Sequence, residues 1–232
     1  MAQTQTQTQS QAKIRSYILL DRTGSMSSIW EEALSSVNAY AASIAGEAGD
    51  VMPEITLAVF DAQDGLQFDV LRRAVASKDW QAVTDKEASP RGMTPLFDAI
   101  ARLIAMAEAD NPEKAVIVIM TDGEENASRE VTKAGVKAAL ERAEKRGWEI
   151  VFLGAEFANF SDADAVGISA AKSMAMGAGR MKGTMERLAR KSQAYYAAEA
   201  AAPVTFDEAD RAEAGEGDVQ KRKGGGLFKR KT

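Results

Sequence analysis

The sequence contains neither cysteine nor histidine. Without thiols, disulfides, zinc–thiolate sites and thiol catalysis are excluded, and the chain suits a reducing compartment. Without imidazole, the most frequent general base, the most frequent transition-metal ligand and every histidine-dependent triad are excluded too, which weighs against an enzyme. Long apolar runs are also missing. The first eleven residues form a Gln/Thr/Ser repeat with no apolar segment, and the longest strongly apolar run is at 115–120. Neither a signal peptide nor a membrane span is expected, and the expected location is cytoplasmic.

What is present is a chain of 232 residues, 45% of them hydrophobic, enough for one sizeable domain with tails. The net charge of −5 conceals a polarity, because residues 207–218 are acid-rich whereas 221–231 carry two basic clusters around Leu227 and Phe228. The expected organisation is a disordered Gln/Thr-rich tail at 1–13, one domain at 14–198, and a disordered acidic-then-basic tail at 199–232.

Between the tails, strand-like and helix-like segments alternate. Residues 14–20 read as a buried strand, followed by a helix with Trp30, Leu34, Val37, Ala41 and Ile44 on one stripe and Gly46 and Gly49 to end it. Segments 55–60 and 66–71 are too close for a crossover helix, so they form an antiparallel hairpin with Leu66, Phe68 and Val70 alternating as an edge strand. After Thr94-Pro95 comes a helix with Leu96, Ile100, Leu103 and Ile104 inward, then a buried strand at 115–120 and a charged helix at 131–146 burying Val136, Leu140 and Ala143. A strand at 149–153, a short helix at 161–166, a last strand at 168–176 and a terminal helix at 180–198 complete the pattern. Met174, Met176, Met181 and Met185 read as core filling rather than a soft copper site. The predicted fold class is α/β: an open, Rossmann-like, mostly parallel sheet with one antiparallel edge strand and helices on both faces.

Three segments carry chemistry. The first strand ends in Asp21-Arg22-Thr23-Gly24-Ser25, an acid followed by hydroxyls at alternate positions, where an open α/β sheet binds ligands. Hard oxygens of this kind select Mg²⁺ or Mn²⁺. The other two segments are Gly92-Met93-Thr94 and Thr121-Asp122-Gly123. Each has an ordinary structural reading: Asp21 as a turn former, Thr94 as a helix N-cap with Pro95 at the first helical position, and Asp122-Gly123 as a turn.

Together the three segments resemble the metal-ion-dependent adhesion site of the von Willebrand factor A family, whose pattern is Asp-x-Ser-x-Ser, a distant Thr, and an Asp usually followed by Gly. The resemblance implies that Ser25, Thr94 and Thr23 touch the metal directly, and that Asp21 and Asp122 bind it directly or through water. Thr23 stands where the family usually has Ser, which keeps the hydroxyl. It further implies Mg²⁺, with Mn²⁺ or Ca²⁺ as alternatives, and a last coordination position filled by an Asp or Glu of a protein partner. Two carboxylates neutralise the cation and neutral hydroxyls do not overquench it, so an incoming carboxylate is attracted.

Around this core, Glu124, Glu125 and Asn126 either contribute specificity or complement a helix dipole. Asp98 either orients the site or is an ordinary surface acid. Arg22 and Arg91 either steer an acidic ligand or are solvated. Leu227 and Phe228 are candidates for partner docking. The leading functional expectation is an intracellular adaptor, monomeric alone, of the kind found in ATPase or kinase/phosphatase assemblies. Two alternatives stay open. A Mg²⁺-dependent phosphatase-like hydrolase would need a second Asp where Thr23 stands. Nucleic-acid binding through the basic tail runs against the acidic overall balance.

Overall fold

A computed structural model of the chain describes residues 13–46, 52–155, 161–199 and 203–225. In chain order the elements are β1 (Ile14–Asp21), α1 (Trp30–Gly46), β2 (Glu54–Ala62), β3 (Leu66–Ala76), α2 (Leu96–Asp110), β4 (Lys114–Thr121) and α3 (Lys133–Lys145). They continue with β5 (Glu149–Ala155), α4 (Ser161–Val166), β6 (Ser173–Met176), α5 (Met181–Ala197), α6 (Glu208–Glu213) and α7 (Glu216–Gly225). The strands form one six-stranded sheet in the order β3-β2-β1-β4-β5-β6. Every pairing is parallel except the β2–β3 hairpin, which places an antiparallel strand at the edge as the sequence predicts.

Strand periodicity splits the core in two. Ile18, Leu20, Val116, Val118 and Met120 point to the face covered by α1 and α5, while Tyr17, Leu19, Ile117 and Ile119 point to the face covered by α2 and α3. Because both faces are covered, the central strands read as continuous apolar runs rather than alternating ones. The predicted helix stripes are all buried, and so are the four methionines at 174, 176, 181 and 185. Strand order reverses at β1, whose two neighbours are β2 and β4. The loops leaving β1 and β4 therefore diverge and open a crevice at the carboxyl ends of these strands.

Several expectations need correction. The hairpin strands are longer than predicted, with a register shift between Ile55 and Ala58 that lets the 11-residue edge strand bend. The last strand is only Ser173–Met176, preceded by a helical turn at Ala170–Lys172.

The larger correction concerns the carboxyl-terminal segment, because α5 is not the last packed element. Val204, Phe206, Ala214 and Val219 are buried beyond it, and three of them join the core on the α1/α5 side. α6 opens with a reciprocal cap between Asp207 and Asp210, and Asp210 pairs with Lys191 and Arg187 of α5. The Glu216 carboxylate accepts the Ala175 backbone N–H at 3.0 Å and pairs with Arg211 at 2.9 Å. A segment expected to be a disordered tail thus closes the outer side of β6. Its acids give no sign of packing in the sequence because their basic partners lie mostly on another helix. The Gln/Thr-rich stretch 1–12, Gly49, and the docking candidates Leu227 and Phe228 lie outside the described residues.

Candidate metal centre

Asp21 ends β1 and is fully buried. One carboxylate oxygen accepts the Thr23 backbone N–H at 2.7 Å and the other accepts the Thr121 hydroxyl at 2.5 Å. The first bond turns the chain back over the strand end and brings Thr23 and Ser25 beside it. The hydroxyls of Thr23 and Ser25 share a hydrogen bond of 3.1 Å, and Ser25 donates to an Asp122 oxygen at 2.7 Å. Since the Ser25 proton is committed to Asp122, Thr23 is the donor to Ser25. Asp21, Thr23, Ser25 and Asp122, all singled out from the sequence, are therefore close neighbours across the β1/β4 crevice.

Thr94 completes the group. A Cβ placed on Gly123 would lie 3.0 Å from the Thr94 hydroxyl and 3.7 Å from that of Ser25, so the bare Gly123 backbone leaves a cradle that both hydroxyls face. The N-cap reading of Thr94 fails, because α2 begins at Leu96 with Pro95 in the cap position and no local side-chain cap. Its first N–H groups are satisfied from elsewhere: Phe97 N–H donates to Glu125 at 2.9 Å and Asp98 N–H to the Ser128 hydroxyl at 3.1 Å.

The electrostatics of this crevice are unbalanced. Burial pushes the Asp21 carboxyl up to about 7, against the opposing effect of its hydrogen bonds from Thr121 and Thr23, with the charge of Asp122 adding to the rise. Burial raises Asp122 as well. Among the described residues neither acid forms an ion pair. Two carboxylates held together away from any protein cation are costly when ionised, and a bound cation relieves that cost. Among the described residues no group of three or more acidic, histidine or cysteine side chains forms a metal cage. The donor set here is instead two carboxylates with the hydroxyls of Thr23, Ser25 and Thr94, a combination that fits a hard divalent cation.

The flanking candidates fare differently. Arg22 does not face the crevice; it is buried, with its guanidinium on Asp61 at 2.5 Å and Asp69 at 2.6 Å, and it ties β1 to the hairpin. Arg91 is partly exposed and leans on the same Asp61 at 3.3 Å. Asp98 is not a surface acid: its buried carboxylate accepts the N–H groups of Arg129, Glu130 and Val131. Glu124 is exposed on the segment after Asp122. The sequence reading did not single out Thr121 as a partner of Asp21, Gly123 as the cradle, or Asp61. A hydroxyl and a glycine flanking Asp122 were visible signals, but their role depends on what stands opposite.

Gly123→Ala is expected to weaken divalent-cation affinity by about tenfold or more, because its methyl intrudes on the Thr94 hydroxyl. The metal-free melting temperature should stay near that of the wild type, since Gly123 does not need a left-handed backbone and the tight contact is with a side-chain hydroxyl. Titration calorimetry paired with thermal melts in chelator checks both.

No protein-family model and no curated protein matches the chain by sequence. Solved structures resemble it in fold. The pilus adhesin SpaC of Lactobacillus rhamnosus GG superposes with a TM-score of 0.63 at 14% identity, over 80% of this chain and 31% of that one. The vWF domain of the type V pili tip protein Mfa5 of Porphyromonas gingivalis gives 0.57 at 9% identity, over 82% and 98% of the two chains. Proximal thread matrix protein 1 of the mussel byssus gives 0.54 at 11% identity, over 78% and 48%. The chain thus spans less than half of the adhesin and byssus proteins and nearly all of the Mfa5 domain. The sheet order, the antiparallel edge hairpin and these likenesses give the chain a von Willebrand factor A-like fold.

Proposed function

We propose that this chain is a protein-binding module that captures an Asp or Glu side chain of a partner through a divalent cation, Mg²⁺ first, held by Asp21, Thr23, Ser25, Thr94 and Asp122. The observation that carries the reading is the buried pair Asp21 and Asp122, joined by hydroxyls and paired with no cation among the described residues. When bound, the cation supplies an electrostatic anchor that two carboxylates neutralise, while the neutral hydroxyls leave it attractive to one more anion. Asp21 is the buried floor and Ser25 lies on the exposed rim, so a partner approaches from the Ser25 side. Gly92 and Met93 flank the same rim and are exposed.

A binding role, not catalysis, fits the donor set. The position that a phosphatase would fill with a second Asp is Thr23, whose hydroxyl is bonded to Ser25, and the sequence holds no histidine to serve as a base. The intracellular adaptor setting, with an ATPase or kinase/phosphatase assembly as the host, is part of this proposal; the lack of cysteine supports it.

The test is a pull-down from native lysate with the full chain, run in Mg²⁺ and in chelator, with Asp122→Ala alongside. A partner retained by the wild type in Mg²⁺ and lost both in chelator and with Asp122→Ala is the expected result. Partners that persist in both controls overturn the reading. In parallel, Asp21→Ala, Thr94→Ala and Asp122→Ala should each lose at least tenfold in Mg²⁺ affinity while remaining folded, because Asp21 closes the end of β1, Thr94 and Asp122 lie on the loops beside it, and all three stand outside the two apolar clusters.

A further inference from the structure

The oxygens of the candidate centre come from segments that nothing covalent holds together: Thr94 precedes α2, and Asp122 follows β4. Between them the structure shows a reciprocal exchange of hydrogen bonds. The Glu125 carboxylate, on the β4 side, accepts Phe97 N–H of α2 at 2.9 Å, together with Ala127 N–H at 2.9 Å, Ser128 N–H at 2.7 Å and the Ser128 hydroxyl at 2.7 Å. The Asp98 carboxylate, on the α2 side, accepts Val131 N–H at 2.7 Å, Arg129 N–H at 2.8 Å and Glu130 N–H at 3.1 Å. Asn126 stitches Thr94 itself: its side-chain oxygen accepts Thr94 N–H at 2.9 Å, and its own N–H donates to the Thr94 carbonyl at 3.0 Å.

We propose that Asp98 and Glu125 are positioning residues that lock Thr94 in register with Asp122. This inference rests on the metal-centre reading above and deepens it. The argument turns on what Thr94 does not do. A threonine directly before Pro95 is the natural local cap for α2, and in that role its hydroxyl would point at the helix. Here Glu125 and Ser128 satisfy the helix N–H groups instead, which releases the Thr94 hydroxyl toward Ser25 and the Gly123 cradle. Asp98 makes the exchange mutual. Asp98 as a whole is only 3% exposed. A carboxylate buried that deeply is tolerated when N–H donors saturate it, and here all of those donors belong to the loop that carries Asp122. A carboxylate that served α2 alone would bond to α2.

The test uses the full chain and MgCl₂ as probe, by titration calorimetry at a temperature where melts in chelator show every variant folded. Glu125→Ala and Asp98→Ala are expected to weaken Mg²⁺ binding tenfold to a hundredfold. Glu125→Gln, which keeps one acceptor oxygen for Phe97 N–H but sets an NH₂ against the Ala127 and Ser128 N–H groups, should recover part of the affinity. Ser128→Ala removes two bonds of the exchange at smaller structural cost and should weaken binding several-fold, which keeps the test decisive if either alanine variant fails to fold. A role confined to stability would lower the melting temperature in chelator and leave Mg²⁺ affinity intact; that outcome in the folded variants overturns the proposal while the metal reading stands. A wild-type chain that binds no Mg²⁺, or an Asp122→Ala variant that binds it unchanged, sinks the metal reading and this inference with it.

Discussion

Mg²⁺ is expected to raise the melting temperature by several degrees at pH 8 and to have little effect at pH 5. The reason lies in Asp21, whose carboxyl burial pushes from the ordinary 3.8 up to about 7. In the metal-free protein the folded state holds that proton over a pH range in which the unfolded chain has already released it. Stability therefore falls as pH rises from about 4 to about 7, and it levels off above that at a cost on the order of 4 kcal/mol. A divalent cation needs the ionised carboxylate, so it relieves the cost above pH 7 and must displace a proton below it. Apparent affinity should be roughly a hundredfold weaker at pH 5 than at pH 8. Burial raises Asp122 too, which works in the same direction.

Asp21→Asn sharpens the test. The amide keeps an acceptor for Thr23 N–H or Thr121 and carries no charge. In chelator at pH 8 the variant should melt several degrees above the wild type, and Mg²⁺ should no longer shift it. Thermal melts across pH 5 to 8, with Mg²⁺ and with chelator, read all of this. A Mg²⁺ shift of equal size at both ends of that range, or one that survives Asp21→Asn, would remove Asp21 from the site.

Truncation after residue 199 is expected to destabilise the domain severely, with loss of soluble folded protein as its most visible form. The deletion strips Val204, Phe206 and Ala214 from the core and removes the buried Val219, leaves the Ala175 N–H without its Glu216 partner, and uncovers the outer side of β6, an edge open to pairing with other chains. Phe206→Ala in the full chain should by itself cost about 3 kcal/mol or more. Chemical denaturation of the point variant and expression of the truncated chain test this. A truncated chain that melts within a few degrees of full length would restore the view of this segment as a tail.

Much of the fold was legible before the structure. The apolar stripes of α1, α2, α3 and α5 follow from helical periodicity, the buried strands β1 and β4 from continuous apolar runs, and the edge hairpin from alternation and a connection too short for a helix, all of them local properties of the sequence. The residues of the candidate site were legible as a pattern: an acid, alternate hydroxyls, a distant threonine and a second acid, each at a strand or helix end. The carboxyl-terminal helices were not. Their apolar residues at 204, 206, 214 and 219 are too sparse and irregular to signal a face, and they become core only because β6 and α5 offer them a surface.

The same division runs through the charged residues. By itself the sequence determined the α/β alternation, the composition that removes imidazole and thiol chemistry, and the five oxygen-bearing residues at the ends of β1, β4 and the loop before α2. Only the tertiary structure decided what the neighbouring charges do. Arg22 turns inward because Asp61 and Asp69 on the hairpin are there to pair with it. Asp98 is buried because the N–H groups of 129–131 converge on it, and Thr94 is released from capping because Glu125 and Ser128 take that duty. A side chain's periodicity is local, but the cost of burying its charge depends on donors from segments far away in sequence, so those roles were settled only when the chain closed on itself.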